Sequence, residues 1–130
     1  MSEFDPNIPI YLQIMHSIKQ EIVAGILRPG DKLPSVREQA EALTVNPNTV
    51  QRAYQELERE SVTETRRGMG TFIVERDSLA AALKPEMAKG IIHACLEGLR
   101  GLGFKPAETL EAISRELRIL EEDRGNVEHT

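Results

Sequence analysis

At 130 residues, 40% hydrophobic and 4% aromatic, the chain suits one ordinary domain, or one small domain with an appendage. Its net charge of −5 rules out a protein that is basic throughout, so any nucleic-acid surface must be a local patch of cations that displace counterions. The single cysteine, Cys95, excludes an internal disulfide and fits a reducing cytoplasm.

Charge is spread evenly. Residues 1–76 carry 9 Lys and Arg against 11 Asp and Glu, and residues 77–130 carry 7 against 10. Two local cationic pairs stand out, Arg37 with Arg52 and Arg66 with Arg67. The N-terminus, MSEFDPNIPI, has neither the basic nor the apolar region of a signal peptide. No run approaches the roughly 18 apolar residues of a membrane span. A cytoplasmic protein that does not engage membrane is therefore expected.

Residues 1–9 read as a polar arm that Pro6 and Pro9 keep extended. From Ile10 the pattern is helical: Ile10, Ile14, Ile18 and Ile22 form one apolar face, with Tyr11, Met15 and Val23 beside it. His16 falls off that face and reads as a solvated side chain. Gly25 is placed to end the helix. Residues 26–34 form a connector with a Pro29-Gly30 turn, anchored by Leu27 and Leu33.

Ser35 opens a second helix, because Ser35 and Glu38 have the spacing of a capping box. This helix should run to about Leu43 with Val36, Ala40 and Leu43 inward, the small Ala40 permitting a close crossing. Thr44-Val45-Asn46 is the turn. Asn46 can cap a third helix and Pro47 suits its first position. Val50, Ala53, Tyr54 and Leu57 form its inner stripe. Its outer face carries Asn48, Thr49, Gln51, Arg52 and Gln55, which offer donors and acceptors instead of apolar surface.

Residues 62–65 and 71–75 alternate as strands. Between them, Arg66-Arg67-Gly68-Met69-Gly70 reads as an exposed tip with two arginines available to phosphates or a minor groove. A solvated surface turn is the bland alternative, but the position directly after the third helix favours a wing. Residues 77–130 are helical again. Leu79, Leu83, Met87, Ile91, Cys95 and Leu99 make a ladder, Gly101-Leu102-Gly103 breaks it, and Pro106 starts a last helix bearing Leu110, Ile113, Leu117 and Leu120. Cys95 reads as core, and Asp123 onward as a frayed tail.

A helix, a tight turn, a second helix with a polar outer face and a basic hairpin together predict a mainly α chain. Its N-terminal winged helix-turn-helix would contain three helices plus a β-hairpin wing over residues 1–76, and a small two-helix C-terminal domain would fill residues 77–130. A plain helical bundle is the competing architecture. The quoted residues GDKLPSVREQAEALTVNPNTVQRAYQELE and RRGMGTFIV resemble the DNA-binding domain of the GntR family of bacterial transcription regulators, over about residues 8–75. The short helical C-terminus is similar to the YtrA subfamily, in which it serves dimerisation.

The resemblance implies DNA-binding roles for Ser35, Arg37, Asn48, Thr49, Gln51, Arg52, Arg66, Arg67, Gly68, Gly70 and Thr71. Arg37 would reach DNA from the second helix, Asn48 to Arg52 would start the recognition helix, and Arg67 to Thr71 would approach the minor groove. Gln51 stands where many members carry arginine, and Ser61 where a glycine usually ends the helix. Arg52 or Arg37 could make a bidentate contact to guanine, and Gln51 to adenine. Asn48 and Thr49 suit phosphates at a helix N-terminus with free N–H groups.

The expected function is sequence-specific transcription regulation, as a repressor binding a pseudo-palindromic operator as a homodimer through the C-terminal helices. The alternative is a winged-helix protein-interaction module without DNA binding. No nucleophile–base pair, metal-ligand cluster or phosphate loop suggests an enzyme, a cofactor or a metal. A small-molecule effector would have to use a groove at the dimer interface, since two helices leave little room for a closed pocket. Its identity is not legible.

Overall fold

The computed structural model describes residues 4–128. The first three residues of the arm and the last two of the tail lie outside them. The element order is α1 (Ile10–Val23), α2 (Val36–Leu43), α3 (Pro47–Arg59), β1 (Thr63–Arg66), β2 (Gly70–Ile73), α4 (Leu79–Gly101) and α5 (Pro106–Glu128). Two compact units result, Met1–Glu86 and Met87–Thr130.

The core of the first unit follows from the apolar stripes. Ile14, Met15, Ile18 and Ile22 of α1 meet Ala40 of α2 and Val50, Ala53, Tyr54 and Leu57 of α3, all buried, with Leu33, Val62 and Ile73 closing the cluster. Ala40 and Ala53 let backbones approach, as small residues must where helices cross closely. The Tyr54 hydroxyl donates to the Pro34 carbonyl at 2.8 Å and so ties α3 to the residue ahead of α2. Lys19 of α1 and Glu60 beyond α3 form an ion pair across the outside of the same packing.

The segment up to α1 is not extended. Asn7 N–H donates to the Asp5 carboxylate, and Gln13 reaches back from α1 to bond Asp5 N–H and the carbonyls of Asp5 and Ile8. A helix-borne amide thus closes a turn that the prolines alone would leave open.

The connector does more than link helices. Lys32 bridges Phe72 in antiparallel fashion. Leu33 N–H donates to Thr71 O, Ile73 N–H to Asp31 O and Gly30 N–H to Ile73 O. Strand β2 is therefore hydrogen-bonded on both edges: to β1 with Thr63 opposite Ile73 and Arg66 opposite Gly70, and to residues 30–33. Glu58 of α3 accepts from Thr65 N–H at 2.7 Å and fixes the hairpin to the helix before it.

Four helices end alike. After α1, Gly25 has φ 80° and Ile26 N–H returns to Glu21 O; after α4, Gly103 has φ 90° and Phe104 N–H returns to Leu99 O. After α2 and α3 the same left-handed position falls to Thr44 (φ 56°) and Ser61 (φ 62°), with Val45 N–H returning to Ala40 O and Val62 N–H to Leu57 O. This closure normally takes glycine, since a Cβ is strained there.

The ladder on α4 divides. Leu79 is buried, and Ala80 and Leu83 pack on the first unit's core, which is why that unit extends to Glu86 instead of ending at residue 76. Pro85 lies inside α4 and cannot donate to the carbonyl four residues back. Beyond it, Ile91, Ile92 and Leu96 are exposed within the chain, as is Cys95, which had read as core. Helix α5 continues to Glu128, past Asp123 where a frayed tail was expected. Pro106 occupies its first turn, and Glu108 accepts from Lys105 N–H at 3.0 Å.

Candidate nucleic-acid interface

Each end of the helix-turn-helix is closed by its own sequence. Ser35 and Glu38 form the full capping box of α2: Glu38 N–H donates to Ser35 Oγ at 3.1 Å and Ser35 N–H donates to Glu38 at 2.9 Å. The Ser35 backbone N–H holds the Glu38 carboxyl below its ordinary range, with the Ser35 hydroxyl and the Lys32 charge assisting. At α3, Asn46 Oδ1 accepts from Asn48 N–H at 2.8 Å, Pro47 has no N–H, and Thr49 N–H returns to Asn46 O at 2.9 Å. The first donors of α3 are thus occupied. The N-terminus of α3 has no spare N–H at Asn48 or Thr49 for a phosphate, contrary to the sequence expectation, which leaves only their side chains free to make contacts.

The outer face of α3 is as polar as expected. Asn48, Gln51, Arg52 and Gln55 are exposed, while Thr49 is half-buried. The Arg52 guanidinium lies over the Tyr11 ring, 3.9 Å from its centroid, and Nη2 sits 3.4 Å from the Tyr11 hydroxyl. Stacking engages the face of a guanidinium and leaves donors on its planar edge for a base. Arg37 is exposed on the first turn of α2 and makes no ion pair among the described residues.

The wing differs from its sequence reading in two residues, Arg66 and Gly70, which pair as strand ends instead of lying in the tip. Arg66 is not at the tip: it is the last residue of β1, opposite Gly70. Its guanidinium bonds Glu64 at 2.8 Å and Glu75 at 3.2 Å and lies over the Phe72 ring at 4.2 Å. Glu64, and then Glu75, raise its pKa further. Its charge is matched locally, so Arg66 braces the hairpin. The tip proper is Arg67-Gly68-Met69, closed by Met69 N–H to Arg66 O at 2.9 Å. Gly68 takes φ 76° there, with open space around its missing Cβ. Arg67 is exposed at that tip and makes no ion pair among the described residues. Thr71 lies opposite Thr65, half-buried on the core-facing side of the hairpin.

The structure thus brings Ser35 at the cap of α2, Arg37 on α2, Asn48, Thr49, Gln51 and Arg52 on α3, and Arg67 and Gly68 at the wing tip into one unit. Sequence reasoning missed two residues. Tyr11 read as a neighbour of the core stripe, yet its hydroxyl gives it a polar handle that 41 residues of separation concealed. Lys32 read as part of a connector, and only the pairing of that connector with β2 brings it to the wing.

Three buried helices, a polar helix face presented by a tight turn and a β-hairpin with a cationic tip define a winged helix-turn-helix of the DNA-binding class. Residues 10–73 match the family described as "Bacterial regulatory proteins, gntR family". The chain is 45% identical over 112 residues to the HTH-type transcriptional regulator YhcF of Bacillus subtilis, covering 86% of this chain and 93% of that one. It is 54% identical over 107 residues to the HTH-type transcriptional repressor YtrA of the same organism, covering 76% and 82%. Among solved structures, a GntR family transcriptional regulator from Listeria monocytogenes superposes with TM-score 0.73 at 39% identity, covering 86% of this chain and 98% of that chain. The AraR DNA-binding domain in complex with operator ORR3 matches with TM-score 0.50 at 28% identity, over 57% of this chain and 87% of that one. The chain belongs to the GntR family of bacterial regulatory proteins, with YtrA and YhcF among its relatives.

Proposed function

We propose that this GntR-family regulator represses transcription by binding a pseudo-palindromic operator as a homodimer. The observation that carries DNA reading is the exposed polar face of α3, on which Arg52 is pre-positioned by Tyr11. Arg52 and Gln51 supply bidentate donors and acceptors to base edges in the major groove. Asn48 and Thr49 contact the flanking backbone, Ser35 and Arg37 hold phosphate from α2, and Arg67 with Gly68, Gly70 and Thr71 brings the wing to the minor groove. YtrA carries "repressor" in its name, and AraR is seen on an operator, which supports this reading over a protein-interaction module.

The C-terminal unit supports the homodimer. Among its described residues no hydrophobic side chain is buried, and Leu102 (76% exposed), Leu110 (68%) and Ile91 (62%) are bare. An apolar surface of this kind on a unit with no core of its own marks an interface. Leu96, Phe104, Pro106, Leu110 and Ile113 line an open groove of about 550 Å³ in the same unit. A second copy covers this surface, and a small-molecule effector would find its walls in this groove, which Glu97, Arg100 and Lys105 also line. A chain of net charge −5 also gains from pairing two short basic patches.

The test is a band shift with Arg52→Ala. Loss of one bidentate contact removes about 1–3 kcal/mol of discrimination, so selectivity for operator over bulk DNA falls at least several-fold. Unchanged affinity and unchanged preference would remove Arg52 from the reading edge. Sedimentation at micromolar concentration should give a dimer, and a monomer there would overturn the homodimer.

A further inference from the structure

Arg66 leaves the wing short of cations. The hairpin carries two arginines, and one of them is matched by Glu64 and Glu75. The third, strand-like segment at 30–33 supplies a replacement. Lys32 pairs with Phe72, and partners across an antiparallel ladder share a face. Its side chain runs along β2 to Gly70, where a Cβ would lie 2.9 Å from Lys32 Cε and 3.6 Å from Nζ. The bare Gly70 backbone, at φ 115°, leaves open the path the lysine stem takes across the root of the wing.

The ammonium is exposed and makes no ion pair among the described residues. It stands three residues before Ser35, and its charge reaches Glu38 in the first turn of α2. Lys32 thus lies between the two parts of the domain that approach the DNA backbone, the start of α2 and the wing.

We propose that Lys32 is a DNA-phosphate contact, the second cation of the wing, and that Arg66 is its brace. The proposal rests on the DNA-binding reading above. A phosphate contact carries no base information, so it adds affinity uniformly and adds to the counterions released.

The experiment measures the salt dependence of binding to a duplex that the wild-type chain has selected from a random pool. Lys32→Gln should lower the slope of log K against log[salt] by about 0.9 for each bound chain. The selected sequence preference should be retained and the melting temperature unchanged. Lys32→Arg should restore the slope. A Lys32→Gln protein with the wild-type slope would overturn the assignment and leave Lys32 as an edge-strand charge. A changed base preference would overturn it too, because the residue would then be reading sequence. Failure of the wild-type chain to select any duplex would instead overturn the DNA-binding reading itself.

Discussion

The guanidinium of Arg52 lies 3.9 Å from the ring centroid of Tyr11, joining the exposed face of α3 to the first turn of α1. Arg52 is thereby a side chain with much of its rotamer freedom already spent, so the proposed base contact comes at lower entropic cost than a solvated arginine would incur. Tyr11→Leu removes both ring and hydroxyl. An exposed cation–π contact is worth about 0.5–1 kcal/mol, so affinity for a selected duplex, measured by fluorescence anisotropy, should fall about two- to fivefold. Tyr11→Phe keeps the ring and should lose less, since the hydroxyl contact is long at 3.4 Å. Equal affinity for wild type and Tyr11→Leu would show that the stack does not prepare Arg52.

Thr44 and Ser61 hold left-handed positions that Gly25 and Gly103 hold elsewhere. A Cβ there costs about 1–2 kcal/mol, and glycine returns part of that through its greater entropy when unfolded. Thr44→Gly and Ser61→Gly should each raise unfolding free energy by about 0.5–1 kcal/mol. Thr44 should gain more, being β-branched. Urea denaturation of the single and double variants checks both the sign and the additivity expected of two separate helix ends. A loss of stability in Ser61→Gly would mean that its side chain contributes something the backbone geometry does not reveal.

Thr63 is buried on the core face of β1, and its hydroxyl has no hydrogen-bond partner. A buried hydroxyl left unpaired costs about 1–3 kcal/mol. Valine has nearly the same shape and no such group. Thr63→Val should therefore stabilise the first unit by about 1 kcal/mol, seen as a higher urea midpoint with an unchanged slope.

Tyr54 donates to Pro34 O at 2.8 Å, and burial, with the charge of Glu38 assisting, raises its pKa above the ordinary tyrosine value. The sign follows from the neutral form being favoured in the fold. The stabilisation is complete below the unfolded-state pKa of about 10 and is lost as pH rises above it towards the folded value. Tyr54→Phe should lower stability at pH 7 by about 1 kcal/mol, the worth of one hydrogen bond. It should also show a shallower loss of stability above about pH 10 than wild type. Parallel alkaline curves for the two proteins would contradict this role.

Local chemistry made much of this fold legible. The capping box at Ser35, the Asn46-Pro47 start of α3 and the Gly25 stop of α1 each act through neighbours a few residues away, and each is realised in the structure. The alternation around Arg66-Arg67 showed a hairpin but not its register. That register depends on Glu64, Phe72 and Glu75 gathering around one guanidinium, which moves Arg66 from tip to strand. The pairing of 30–33 with β2 was hidden because that stretch has neither strand length nor alternation; it is held by hydrogen bonds to residues about forty positions on. Tyr11 was hidden for the same reason. The α4 ladder was legible as apolar, but not the exposure of Cys95 within the chain, because periodicity marks a face without saying what packs on it.

On the proposed function, two copies of this chain read one two-fold symmetric DNA site through α3. Selection from a random duplex pool, with the stoichiometry of the selected complex measured, tests it directly. Two chains should bind an inverted repeat whose half-sites are centred about 10 base pairs, or a multiple of that, apart. A pool that shows no enrichment, or a single asymmetric site holding one chain, would contradict the account.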